Sequence, residues 1–138
     1  MPAKPIHDGL FTSPDEPGGP RLLAARCSGC TQLHFPASDV CPYCGGGPCA
    51  QEPVGAAGTL SLYTVVNARP PGYRGPVPYG FGVVDLPEGL RVVTRLEEAR
   101  LEHLRTGLAV ELRVTPLFTD DDGNEVLSFG YAPRAEAR

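Results

Sequence analysis

The chain is short of the features that mark several common functions. It has no tryptophan and only 7% aromatic residues, so it offers few platforms on which nucleic-acid bases could stack. Lysine occurs once, at Lys4, and the remaining cationic side chains are arginines spread thinly and without a run. With 12 Lys and Arg against 16 Asp and Glu, the formal net charge is −4 and the isoelectric point lies near 5.3. A nucleic-acid binder normally shows the opposite, a basic patch that displaces counterions from phosphate. No apolar run approaches the roughly 20 residues needed to cross a bilayer, and Met1 to Leu10 has no apolar stretch of the secretory kind. Also missing are a Gly-x-Ser-x-Gly elbow, a phosphate-cradling glycine loop opening a helix, and a His-Glu pair on a helix. The three histidines, His7, His34 and His103, are scattered. The chain does not read as an enzyme by itself. No nucleic-acid and no membrane partner is expected.

What is present centres on Cys27 to Cys44: Cys-Ser-Gly-Cys, ten residues, then Cys-Pro-Tyr-Cys-Gly-Gly. Two Cys-x-x-Cys pairs at this separation form a four-thiolate metal site, with Cys27, Cys30, Cys41 and Cys44 as ligands. Zinc is borderline soft, and a closed all-sulfur shell leaves no open position for water, so the expected role is structural. Two disulfides are one alternative, although such scaffolds belong to secreted chains. Rubredoxin-type iron is another, because the same ligands hold it, but an electron carrier has no need of the long segment that follows. Gly45 fits a second knuckle that requires positive φ, and Pro42 pre-sets its turn. The first pair is followed by Thr31 instead. Cys49 reads as a spare thiol at the ribbon's edge, and His34 as a surface group or a neighbour of the metal ligands. Reduced thiols of this kind place the protein in the cytoplasm.

Taken in order, residues 1–20 form an N-terminal tail, or a short helix docking on a partner, with a short amphipathic turn from Ile6 to Phe11 followed by Pro- and Gly-rich linker chemistry. Ile6, Leu10 and Phe11 would serve as an apolar handle docking on a partner, or the tail would be mobile. Residues 21–50 form the ribbon, too small to bury a core, so that the metal holds it folded. Residues 51–57 read as a hinge. From there the pattern is β: strands over 59–66, 79–86 and 90–96, a strict alternation through Val110, Leu112 and Val114, and a return over 125–131. Asp120 to Asn124 is a hairpin turn, its three aspartates lacking the spacing of a calcium loop. Glu97 to Arg105 carries Leu101 and Leu104 at helical spacing. The 17 glycines and 16 prolines suit short strands joined by many turns. The expected fold is mostly β: a rubredoxin-like zinc ribbon followed, over 54–133, by a five-stranded OB-fold barrel with one short helix.

This assembly resembles the zinc-ribbon/OB-fold family of thiolase-associated, acyl-CoA-binding proteins. The resemblance rests on the two cysteine pairs with Gly45, on Gly58-Thr-Leu-Ser-Leu-Tyr-Thr-Val-Val, on Pro70-Pro71-Gly72 leading to Pro78-Tyr79-Gly-Phe-Gly-Val-Val-Asp85-Leu86, and on Gly107-Leu-Ala-Val110-Glu111-Leu. It implies a non-catalytic accessory subunit of a thiolase or retro-aldolase acting on acyl-CoA, in steroid side-chain or aromatic degradation. The implied partner is a thiolase-fold protein, in a hetero-oligomer built on a thiolase dimer, and the implied ligand of the complex is a coenzyme A thioester. The long loop from Asn67 to Tyr79 would then be the contact: Arg69 and Arg74 toward the phosphates, Tyr73 toward the adenine or the acyl channel. Their other role is to cover the partner's surface. A general OB-fold interaction module, or one binding single-stranded nucleic acid, is the competing function.

Overall fold

The computed structural model describes residues 3–134. Among the described residues nine strands form two sheets: β1 (Ala3–Pro5), β2 (Leu22–Cys27), β3 (Leu33–His34), β4 (Cys49–Val54), β5 (Ala57–Val66), β6 (Tyr79–Leu86), β7 (Leu90–Leu96), β8 (Ala109–Thr119) and β9 (Glu125–Pro133). Strands β3, β2 and β4 make the ribbon sheet, and β9-β7-β6-β5-β8 close on themselves through the β8–β9 ladder. Closure leaves a five-stranded barrel, with β1 added in parallel to the outer side of β9. The alternation that marked the later strands is what turns Leu60, Val84, Val92, Leu96, Val110 and Leu112 inward. Asp120 accepts hydrogen bonds from the amides of Asp122 and Asn124, and Gly123 takes positive φ, so the β8–β9 turn forms as the sequence predicts.

Three expectations need correction. Glu97 to Arg105 is not a helix; only a single 3-10 turn forms, at Leu101–His103. Leu104 is buried while Leu101 stays exposed, so the two leucines never share a face. Glu98 competes with helix formation by accepting from the backbone amide of Arg100, as well as contacting His103 at 3.1 Å. The hinge at 51–57 is mostly strand, since β4 pairs along the whole of β2 from Leu22↔Val54 to Cys27↔Cys49. No short helix forms at 6–11: the chain makes bends and a turn at Asp8–Gly9, and Phe11 bridges to Leu22 in the ribbon sheet.

The ribbon is also less independent than its length suggests. Leu22, Ala24, Leu33 and Val54 belong to the same buried cluster as Leu60, Leu86, Leu108 and Tyr131 of the barrel. Phe129 of β9 meets Phe11 at 6.3 Å and Phe35 at 5.6 Å between ring centroids, tying the N-terminal segment and ribbon to the barrel. One continuous core thus anchors the root of the ribbon, and the metal's task is confined to the knuckle end.

Candidate functional site

The knuckle end is built by backbone amides pointing at sulfur. Gly29 N donates to Cys27 Sγ at 3.3 Å, Tyr43 N to Cys41 Sγ at 3.4 Å and Gly46 N to Cys44 Sγ at 3.4 Å. The amides of Cys30 and Gly29 hold the Cys27 thiol down at about 6, favouring the thiolate that binds metal. Gly45 takes φ 74° as its position in the motif requires, and Thr31 adopts φ 64° at the matching point of the first knuckle. The two turns therefore have the same backbone shape despite the missing glycine, at the cost of one strained threonine.

The four sulfurs lie within 4.8 Å of one another, with Cys27–Cys44 at 3.6 Å and Cys30–Cys41 at 3.5 Å. A tetrahedron with metal–sulfur bonds of about 2.3 Å has edges near 3.8 Å, whereas a disulfide needs about 2.0 Å. All five cysteines are free. The donor set fits a structural zinc ion, closed to water, and the four predicted ligands are the ones brought together. Cys49 stays outside the set. His34 is buried rather than exposed, and its Nε2 accepts from the Ser38 amide at 3.2 Å, bracing the turn that leads to the second knuckle. Its place opposite Ala25 in the ribbon sheet was not readable from a two-residue strand.

The structure separates the three loop residues. The Arg69 guanidinium donates to the carbonyl of Gly75 and lies over the Tyr73 ring at 5.8 Å. Tyr73 donates its hydroxyl to Pro76 O at 2.8 Å and packs on Tyr79 at 4.8 Å. These two hold the loop's own shape. Arg74 turns the other way, lying over Phe118 at 4.7 Å and pairing with Asp121 at 3.1 Å. It borders an open cleft with Lys4, His7 and Asp120, where Lys4 is itself paired to Asp120 at 2.8 Å. The carboxylates there balance the cations. Two further groups complete the picture: buried Glu98, paired with Arg100 and His103, and the Tyr131 hydroxyl, which reaches Gly55 O at 2.8 Å. Among the described residues, no helix is long and apolar enough to cross a membrane.

Comparison with known proteins follows this division of the chain. Residues 19–48 match the ChsH2 rubredoxin-like zinc ribbon domain, and residues 51–115 match the ChsH2 C-terminal OB-fold domain. The chain is 33% identical to the benzoylsuccinyl-CoA thiolase subunit BbsA of Thauera aromatica, over 91% of this chain and 85% of that one. It is 29% identical to a DUF35 domain-containing scaffold protein of Methanocaldococcus jannaschii, over 80% and 78% respectively. Among solved structures, the Ltp2-ChsH2(DUF35) aldolase superposes with a TM-score of 0.63 at 26% identity, covering 82% of this chain and 84% of that one. With both halves matched in order and the four thiolates gathered at the knuckles, the chain belongs to the ChsH2 family of zinc-ribbon and OB-fold proteins.

Proposed function

We propose that this chain is a non-catalytic accessory subunit of a thiolase-fold enzyme that cleaves or forms a carbon–carbon bond in an acyl-CoA. The observation that carries this reading is the match along 91% of the chain to a benzoylsuccinyl-CoA thiolase subunit. The molecule's build supports it: a metal-clamped ribbon and a barrel share one core, which suits a rigid body that holds a larger enzyme's surface in place. The partner supplies the catalytic groups, by thiolysis or retro-aldol chemistry, on substrates of the aromatic or steroid side-chain kind. The complex is a hetero-oligomer built on a thiolase dimer and works in the cytoplasm, where thiols stay reduced and available to zinc.

Within that complex the loop from Asn67 to Tyr79 borders the coenzyme A thioester. Arg69 and Tyr73 shape the loop, and Arg74, roughly half exposed at 48%, exchanges Asp121 for a coenzyme A phosphate. A competing role in binding single-stranded nucleic acid has little support from a chain of net charge −4. The test is reconstitution: the thiolase-fold partner is purified alone and with this chain, and acyl-CoA turnover and particle mass are measured. An accessory subunit raises turnover or assembly while being inactive alone. Turnover by this chain alone, or a partner indifferent to it, would refute the reading.

A further inference from the structure

Cys49 is not a metal ligand, yet it faces one. Strands β2 and β4 run antiparallel in a register that sets Cys49 directly opposite Cys27. The Ser28 amide donates across to Pro48 O at 3.1 Å, while the Cys27 amide is used within its own knuckle, on Gln32 O. That pattern makes Cys27 and Cys49 a non-hydrogen-bonded pair, the closer of the two antiparallel types, with Cα atoms about 4.5 Å apart. Disulfides span Cα separations of about 4.4 to 6.8 Å, so the two sulfurs can be joined with little movement of the backbone. A cleft of about 250 Å³ lies against Cys49, lined also by Ala25 and Gln51, the neighbouring pair on the same face of the sheet. It opens half-buried Cys49 to a small solute, with buried Cys27 behind it.

We propose that Cys27 and Cys49 form a peroxide-responsive disulfide that withdraws Cys27 from the metal. The Cys49 thiol gives its proton to solvent and its sulfur attacks a hydroperoxide oxygen from the cleft; an S–O bond forms, the O–O bond breaks, and a sulfenic acid and an alkoxide result. The alkoxide takes a solvent proton. The Cys27 thiolate sulfur then attacks Cys49 sulfur, the S–S bond forms, and the departing hydroxide collects a solvent proton to become water. The two sulfurs together give up two electrons, and the peroxide is reduced to an alcohol and water. Three thiolates remain at the site. The first knuckle keeps only Cys30 as its tie to the second, so metal affinity falls and the knuckle end loosens while the ribbon's root stays packed on the barrel.

The test uses the zinc-loaded chain. Hydrogen peroxide is added, zinc release is followed with a chromogenic chelator, and peptide mapping without reductant locates the disulfide. The proposal predicts a cross-linked peptide joining residues 27 and 49 that accumulates in step with zinc release. It also predicts several-fold slower release from Cys49→Ser, with equal zinc content before oxidation. Oxidation that joins only the four ligand cysteines to one another, or release from Cys49→Ser at the rate of the unaltered chain, overturns it. The map of the unaltered chain decides the matter even where the variant loads zinc poorly.

Discussion

The hydroxyl of Tyr131 donates a hydrogen bond to the carbonyl of Gly55 at 2.8 Å, and this contact spans 76 positions of sequence to lock barrel to ribbon. Tyr131 lies on the last strand and is fully buried; Gly55 sits where β4 of the ribbon hands over to β5 of the barrel. At φ 86°, Gly55 takes a conformation that side chains rarely adopt, and a Cβ there would meet the Tyr131 oxygen at 2.6 Å. Each residue thus requires the other to be what it is.

Tyr131→Phe leaves the Gly55 carbonyl buried without its donor and should destabilise the chain by about 1–3 kcal/mol. Gly55→Ala adds backbone strain to a clash and should do at least comparable harm. Urea unfolding monitored by circular dichroism measures both. Burial pushes the Tyr131 phenol up from its usual value, with negative Glu88 adding to the effect. Its contribution is therefore fully present below the unfolded phenol's pKa of about 10 and declines as pH rises beyond it. Between pH 9 and 11 the unaltered chain should lose stability more steeply than Tyr131→Phe.

Removing the metal should unfold the knuckles and spare the barrel. Structural zinc is worth on the order of 10–16 kcal/mol in finger peptides, but here Leu22, Ala24 and Val54 are held independently in the shared core. Hydrogen exchange with a chelator, or in a Cys41→Ser/Cys44→Ser double variant, should show the knuckles at 28–31 and 39–48 exposed while β6 and β7 remain protected, with Leu33 and Phe35 still packed on the barrel. Partner assembly should be lost as well. An intact complex without metal would remove zinc from the account.

Lys4 and Asp120 pair at 2.8 Å and bind the first strand to the β8–β9 turn. The Lys4 ammonium beside Asp120, helped by the Asn124 amide, holds its carboxyl well below the usual carboxylate range. A depressed value means stability that is present above about pH 4 and lost as pH falls toward the folded-state value. Asp120→Asn should flatten this acid response. The readout is exchange of the Ile6 amide, which donates to Leu127 O at 2.7 Å next to β1.

Arg74→Ala should weaken acyl-CoA use by the assembled enzyme, raising KM several-fold, without dissolving the complex. Steady-state kinetics together with particle mass separate the two effects. Unchanged kinetics would take the loop off the substrate's path. Asp121→Asn should act in the opposite sense, because it frees Arg74 from its present partner.

The barrel strands were legible because burial on one side imposes a period of two, as Val110, Leu112 and Val114 show. The zinc site was legible because metal ligands at fixed spacing are a local property. What escaped the sequence depends on partners far along the chain. Leu101 and Leu104 carry helical spacing, but Glu98 and the single buried Leu104 fix a tighter turn. Residues 49–54 hold a proline and two polar residues, and they become a strand because β2 offers them an open edge. The loop arginines showed their chemistry in the sequence without their directions: Arg69 is turned into the loop and Arg74 toward Asp121.

A tagged copy of this chain recovered from its native host, with the co-purifying chains identified by mass spectrometry and quantified, tests the accessory role most directly. The account predicts a thiolase-fold chain in near-equal amount, whose active-site residues then distinguish thiolysis from retro-aldol cleavage. Recovery of the chain alone, or with nucleic acid, would contradict the proposed role, while the zinc ribbon, the barrel and their shared core would stand.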